Sequence, residues 1–410
     1  MLKPHLAVMR GRDPQEHGRA STPLELLFDL TFAFAFATAA EQLADLVAKG
    51  HGAAGLAAFS FAMFATCWAW VNFSWFASAY DTDDWAFRLA TMVQMVGVLI
   101  LALGLPRMFA SIDKGARLDN GLMVAGYVIM RVALVGQWLR AAWQDGGRRR
   151  ACLIYAAAIF AVQLGWVGLV VLPLPAAALA PLMAVFIIAE MVTPWIAEGK
   201  DGGTPWHAHH IAERYGLLAI IALGEGLAGA IAAISAVVGR QGWSLDAVLV
   251  CIAGAGLTFS LWWVYFLIPS APVLHAQRNR SFVWGYGHMI IFAAIAATGA
   301  GLRVTAAFIA NAASIGPVAT VLSVAIPVAV YLAGIYALYA WLMRRGDPLH
   351  IGLLAATAGL LAAAAGLAAA GVGLAVCLIV LMMAPIVTVV GYELAGRRHA
   401  ADALARVLAE

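Results

Sequence analysis

Long apolar runs broken by short polar turns dominate the chain. They predict about twelve helical spans, near 23–47, 53–80, 86–106, 119–143, 151–172, 175–197, 205–238, 244–269, 281–303, 316–343, 349–369 and 371–394. Each is about 20 residues or longer, so a helix rising about 1.5 Å per residue crosses a hydrocarbon core of roughly 30 Å. Two boundaries stay open on pattern alone. Leu172-Pro173-Leu174-Pro175 and the Ala/Gly-rich run around Ala370-Gly371 each read as a short turn or as a kinked helix.

Composition narrows the class. Of 410 residues, 63% are hydrophobic and 11% charged, against about 25% charged in a soluble domain. The expectation is an all-α polytopic membrane protein whose surroundings are the lipid bilayer. The first 20 residues hold four Lys/Arg and no apolar core, which predicts no cleavable signal peptide. Of the 25 Lys/Arg, 17 fall in the N-tail, alternate loops and the C-tail, six in the intervening loops, and Arg131 and Arg214 within spans. The positive-inside rule then puts both termini in the cytoplasm of a multi-pass protein of the bacterial inner membrane. The partition expected is a tail over 1–22, six-helix halves over 23–200 and 201–394, and a tail over 395–410. No basic run with interleaved aromatics suggests nucleic acid, and Cys67, Cys152, Cys251 and Cys377 are dispersed as small apolar side chains.

Ionisable residues inside the spans carry the candidate chemistry. Thr22 followed by Glu25 is a capping box, with Pro23 at the first helical position. Asp29 lies one turn deeper, roughly 9–10 Å past the cap, where a charge costs on the order of 3 kcal/mol. Glu41 follows twelve residues later, and Glu213 and Glu225 repeat that spacing in the seventh span. The next spans carry Trp68-Ala69-Trp70 and Trp262-Trp263, so the pattern predicts two halves of like orientation, a parallel repeat.

The seventh span opens with His207, His209 and His210 and continues through Glu213 and Arg214. His209 and Glu213 are four apart, as are His210 and Arg214. A metal reading would use His209, His210 and Glu213, but the histidine spacing lacks the i, i+4 pair of a helical zinc site, so neither metal nor cofactor is expected. Titrating histidines fit better. Structural readings stand beside these: Glu213 and Arg214 as an interfacial pair with the arginine reaching to water, and Glu225 bonded to a neighbouring backbone. Arg131 is the counter-charge for a buried acid, Asp29 or Glu190. Asp81, Asp83 and Asp84 read as a solvated turn. Glu190, His288 and Glu393 are further buried candidates, and Asn72, Gln94, Gln137 and Gln163 read as interhelical bonds. No nucleophile elbow, phosphate loop or dinucleotide glycine pattern is present, so the chain is not expected to be an enzyme.

At Pro23-Leu24-Glu25-Leu26-Leu27-Phe28-Asp29-Leu30-Thr31-Phe32, and at His210-Ile211-Ala212-Glu213-Arg214-Tyr215-Gly216-Leu217 through Leu223-Gly224-Glu225, the chain resembles the bacterial low temperature requirement A family. The likeness runs from about residue 20 to 390; an aromatic is common where Leu27 stands and an aliphatic where Thr31 stands. It implies a polytopic inner-membrane protein and supplies no molecular activity. The buried acids lead to a transporter or channel for protons, a cation or a small solute. Asp29, Glu41, Glu213, Glu225 and His210 would handle the cargo, and Arg131 and Arg214 would balance charge. The alternative is a non-transporting scaffold or binding protein in which buried charges only specify helix packing.

Overall fold

The structure is a computed structural model that describes residues 6–172, 176–200, 202–344 and 348–409. Among these residues every regular element is helical. The helices are α1 (Pro23–Ala48), α2 (Gly52–Tyr80), α3 (Trp85–Asp113), α4 (Gly121–Gln144), α5 (Arg149–Val171), α6 (Ala176–Glu198), α7 (Ala208–Gln241), α8 (Leu245–Tyr265), α9 (Ser270–Ala276), α10 (Ser281–Ile309), α11 (Pro317–Met343), α12 (Pro348–Ala369), α13 (Leu374–Gly391) and α14 (Arg397–Ala409). Among the described residues, twelve spans are long and apolar enough to cross a membrane. Exposed side chains such as Leu103, Val132 and Val171 leave apolar flanks suited to lipid.

Sequence and structure differ most at helix ends. The apolar pattern ends the third span at Pro106, yet α3 continues to Asp113 with Pro106 inside it. A proline removes one hydrogen bond, but breaking the helix in apolar surroundings would strand several more backbone groups. The ninth predicted span stops at Arg303, whereas α10 runs to Ile309, so this arginine belongs to a helix and not to a loop. At the open boundary near Ala370, Gly371 has φ +80°, a left-handed turn between α12 and α13. In the other open boundary, residues 173–175 lie outside those described.

Two compact units make up the chain. Unit 1 comprises Met1–Ala35 and Trp68–Ile211; unit 2 comprises Phe36–Cys67 and Ala212–Glu410. The divisions therefore run through α1, α2 and α7.

In unit 1, α3 and α4 touch backbone to backbone. A Cβ added at Gly97 would sit 2.6 Å from the Gly126 carbonyl oxygen, so only glycine allows this approach. Trp138 stacks on Tyr155 at 4.3 Å and joins α4 to α5. The segment before α1 is pinned across helix ends. Met9 N–H donates to Gln144 (2.6 Å), Gly11 N–H to Asp145 (3.1 Å) and Arg12 N–H to the Ala79 carbonyl (2.9 Å). Met9 itself is fully buried.

In unit 2, α7 and α10 close on each other at Gly299, where a Cβ would lie 2.5 Å from the Glu225 backbone. The C-terminal α14 folds back on the unit, its Val407 carbonyl accepting from Gln277 Nε2 (3.1 Å).

Candidate functional site

Unit 1 gathers buried ionisable groups around the start of α1. Thr22 N–H donates to Glu25 Oε2 (2.8 Å) and Glu25 N–H donates to Thr22 Oγ1 (3.3 Å), the reciprocal cap that the sequence predicts. The cap does not exhaust Glu25. Its Oε2 also lies 3.2 Å from His210 Nε2, and neither side chain reaches solvent. Asp29, one turn deeper and equally buried, accepts from Trp70 Nε1 at 2.7 Å.

His207 organises the approach to this pair. Its Nδ1 accepts the His210 N–H (3.2 Å), so it caps α7 and must be unprotonated at that nitrogen. The proton then sits on Nε2, which donates to the Glu16 carbonyl (2.9 Å), and the His207 N–H donates to Ser78 Oγ (3.0 Å). Burial lowers the pKa of His207, helped by the positive Arg19 and by His209, while the Glu16 carbonyl opposes. His209 is exposed.

Asp81 and Asp84 overturn the expected solvated turn. Both are buried. Asp81 accepts the Asp83 N–H (2.8 Å); burial and the field of Glu25 push its carboxyl up to about 6, against Arg19. Asp84 caps α3 by accepting the Phe87 N–H (2.9 Å), and its carboxylate pairs with Arg140. Burial opposes its ionisation, but Arg140 and the Phe87 N–H outweigh burial and hold it at about 2. Arg19, also buried, donates to the Ala77 carbonyl (3.0 Å). The charged groups that act on them, Glu25, Arg19 and Arg140, all lie far along the chain, so a run of three aspartates carries no sign of their burial.

Deeper in unit 1, Arg131 meets Glu190 and not Asp29. Nη2 reaches Glu190 Oε2 at 2.9 Å and Tyr127 Oη at 3.0 Å, while Trp68 Nε1 donates to the same carboxylate oxygen at 2.7 Å. The ion pair is 3% and 4% exposed, a dry and charge-balanced tie between α4 and α6.

Unit 2 holds a second pair. Glu225 accepts from Arg303 Nη2 at 3.1 Å, with side chains 11% and 27% exposed. Glu41 is exposed on α1. The apolar pattern ends the predicted span at Arg303, yet the helix continues to Ile309. The apolar residues that follow it to Ile309 were the signal that the helix goes on.

Two further expectations change. Arg214 is fully buried and does not reach to water, whereas Glu213 is exposed. Within the paired spacings, Asp29 is buried and Glu41 exposed, but Glu213 is exposed and Glu225 buried. Twelve residues rotate a helix by about 120°, so each pair points two ways. His288 is a satisfied core histidine: Nδ1 bonds the Trp284 carbonyl (2.7 Å) among Tyr215, Tyr265, Trp284 and Phe292. Glu393, in a π-helical turn, pairs with Arg397 at 2.5 Å. No group of three His, Cys, Asp or Glu able to hold a metal occurs among the described residues.

Comparison with known proteins bears on the family of the chain. An uncharacterized protein of Rhizobium meliloti (strain 1021), RA0937, is 24% identical over 326 residues, covering 71% of this chain and 70% of its own length. No solved structure matches. The family model for the bacterial low temperature requirement A protein matches residues 20–385, a stretch that holds Glu25, Asp29, Asp81, Arg131, His210, Glu225 and Arg303. The chain belongs to the bacterial low temperature requirement A (LtrA) family.

Proposed function

We propose that this protein is a transporter or channel of the bacterial inner membrane that moves protons or a small solute, with both termini cytoplasmic and no enzymatic activity. The observation that carries the reading is the solvent-free contact between Glu25 and His210, with Asp29 one turn deeper. A proton shared between a carboxyl and an imidazole leaves the pair neutral wherever it sits, so its movement there avoids the cost of an isolated buried charge. Asp81, titrating near the neutral range, suits proton exchange with water at this end. Asp29 is the next acceptor, about 6 Å along α1. Glu41, Glu213 and Glu225 extend the set, with Arg303 as the counter-charge of Glu225.

Proton flux into proteoliposomes under an imposed pH gradient tests the proposal. Wild-type protein is expected to dissipate the gradient, and Glu25→Gln, Asp29→Asn and Glu225→Gln to slow it at least about tenfold, which corresponds to about 1.4 kcal/mol of barrier. Equal flux in wild type and in all three variants removes these carboxyls from any path.

A specific observation favours a second reading, a scaffold or binding protein. Arg131–Glu190 and Arg303–Glu225 are each balanced by a fixed partner. On that reading wild-type vesicles hold the gradient as empty ones do, and loss of Arg131 changes only stability.

A further inference from the structure

We propose that unit 2 carries a binding site for the zwitterionic headgroup of a phospholipid with a primary ammonium, phosphatidylethanolamine, at the end where α7 and α10 stop and α8 and α13 begin. A cavity of ≈ 250 Å³ opens there, with Arg240, Asp246, Val237, Val250, Phe308 and Leu374 in its wall. It has room for several waters at about 30 Å³ each, and therefore for a headgroup. Beneath it lies a packed apolar cluster that includes Ala233, Val250 and Leu378.

The two charges decide the ligand. Arg240 Nη1 donates to the Ile309 carbonyl at the last turn of α10 (2.5 Å), which holds the guanidinium at the rim. Asp246 stands in the first turn of α8. Each charge suits the helix end that it occupies. Neither role explains why opposite charges line one cavity without forming an ion pair with each other. A phosphate on Arg240 and an ammonium on Asp246 bridge them and leave the bound group neutral. A primary ammonium can donate hydrogen bonds to the carboxylate, and a trimethylammonium cannot. The apolar wall and the neighbouring Trp243 and Leu245, 76% and 74% exposed, point to a lipid rather than a soluble zwitterion, since exposed tryptophan beside a span end marks the headgroup level.

Native mass spectrometry of the full-length protein, released from vesicles with equal phosphatidylethanolamine, phosphatidylcholine and phosphatidylglycerol, tests the site. Wild type should retain phosphatidylethanolamine preferentially. Asp246→Asn, a surface change that keeps the fold, should reduce that preference about three- to tenfold by removing one charge-assisted hydrogen bond. Arg240→Gln should reduce retention of both phosphatidylethanolamine and phosphatidylglycerol. Equal retention of all three lipids by wild type, or an unchanged preference in Asp246→Asn, overturns the proposal. Displacement of the lipid by soluble phosphoethanolamine at equal concentration overturns the lipid as the source of the headgroup. The result does not depend on whether the protein moves protons.

Discussion

His207 stays neutral because both ring nitrogens are committed, one as acceptor to the His210 N–H and one as donor to Glu16. Its folded pKa is below the usual 6.5, so the unfolded chain binds the extra proton first. The stability this provides is present above about pH 6.5 and is lost as pH falls through the folded value. Asp81 works with the opposite sign. Its folded value of about 6 lies above the ordinary 3.8, so its contribution is full below about pH 4 and is lost as pH rises through 6, on the order of 3 kcal/mol. Melting curves from about pH 4 to 8 separate the two. His207→Asn, which still caps α7, should flatten the loss on the acid side of 6.5, and Asp81→Asn should raise the melting temperature at pH 7 but not at pH 4. For the deep pair, Arg131→Met should destabilise by about 3–5 kcal/mol because Glu190 is left charged with no counter-charge, only the Trp68 N–H, and adding Glu190→Gln should recover most of it. At this scale the sequence revealed what depends on position along one helix, the Thr22–Glu25 cap and the depth of Asp29. It could not reveal Asp81, Asp84 or the partner of Arg131, since burial of these groups depends on Arg19, Arg140 and Glu190 far along the chain.

Helices as elements were legible almost throughout, because a lipid-crossing helix writes its length as an apolar run. What failed was punctuation. Pro106 and Arg303 look like stops, but inside a membrane body the backbone has no better option than to stay helical, and each residue has an accommodation that the pattern lacks. Gly299 shows how the elements meet. It lets α10 approach the backbone of Glu225, and Arg303 one turn later then reaches the carboxylate. Gly299→Ala would put a Cβ 2.5 Å from that backbone. It should lower stability by about 1–3 kcal/mol through overpacking. A double-mutant cycle of Gly299→Ala with Arg303→Gln, followed by thermal melting, should show less than additive loss, since pushing α10 away already weakens the ion pair.

At the level of the molecule, the twelve apolar spans among the described residues and the family assignment establish a multi-pass membrane protein. The compact units divide α1, α2 and α7 within their lengths. No local pattern announces such a division, because it arises from which neighbours each half of a helix finds. The proposed function requires the Glu25–His210 contact in unit 1 to exchange protons despite its burial. Infrared difference spectroscopy of the protein in lipid, across a step from about pH 8 to 5, reads this exchange. A protonated-carboxyl stretch should grow on acidification in the wild type and be missing in Glu25→Gln. A spectrum with no Glu25-dependent band anywhere in that range would remove Glu25 from any proton path, because a carboxylate locked in one state cannot relay a proton.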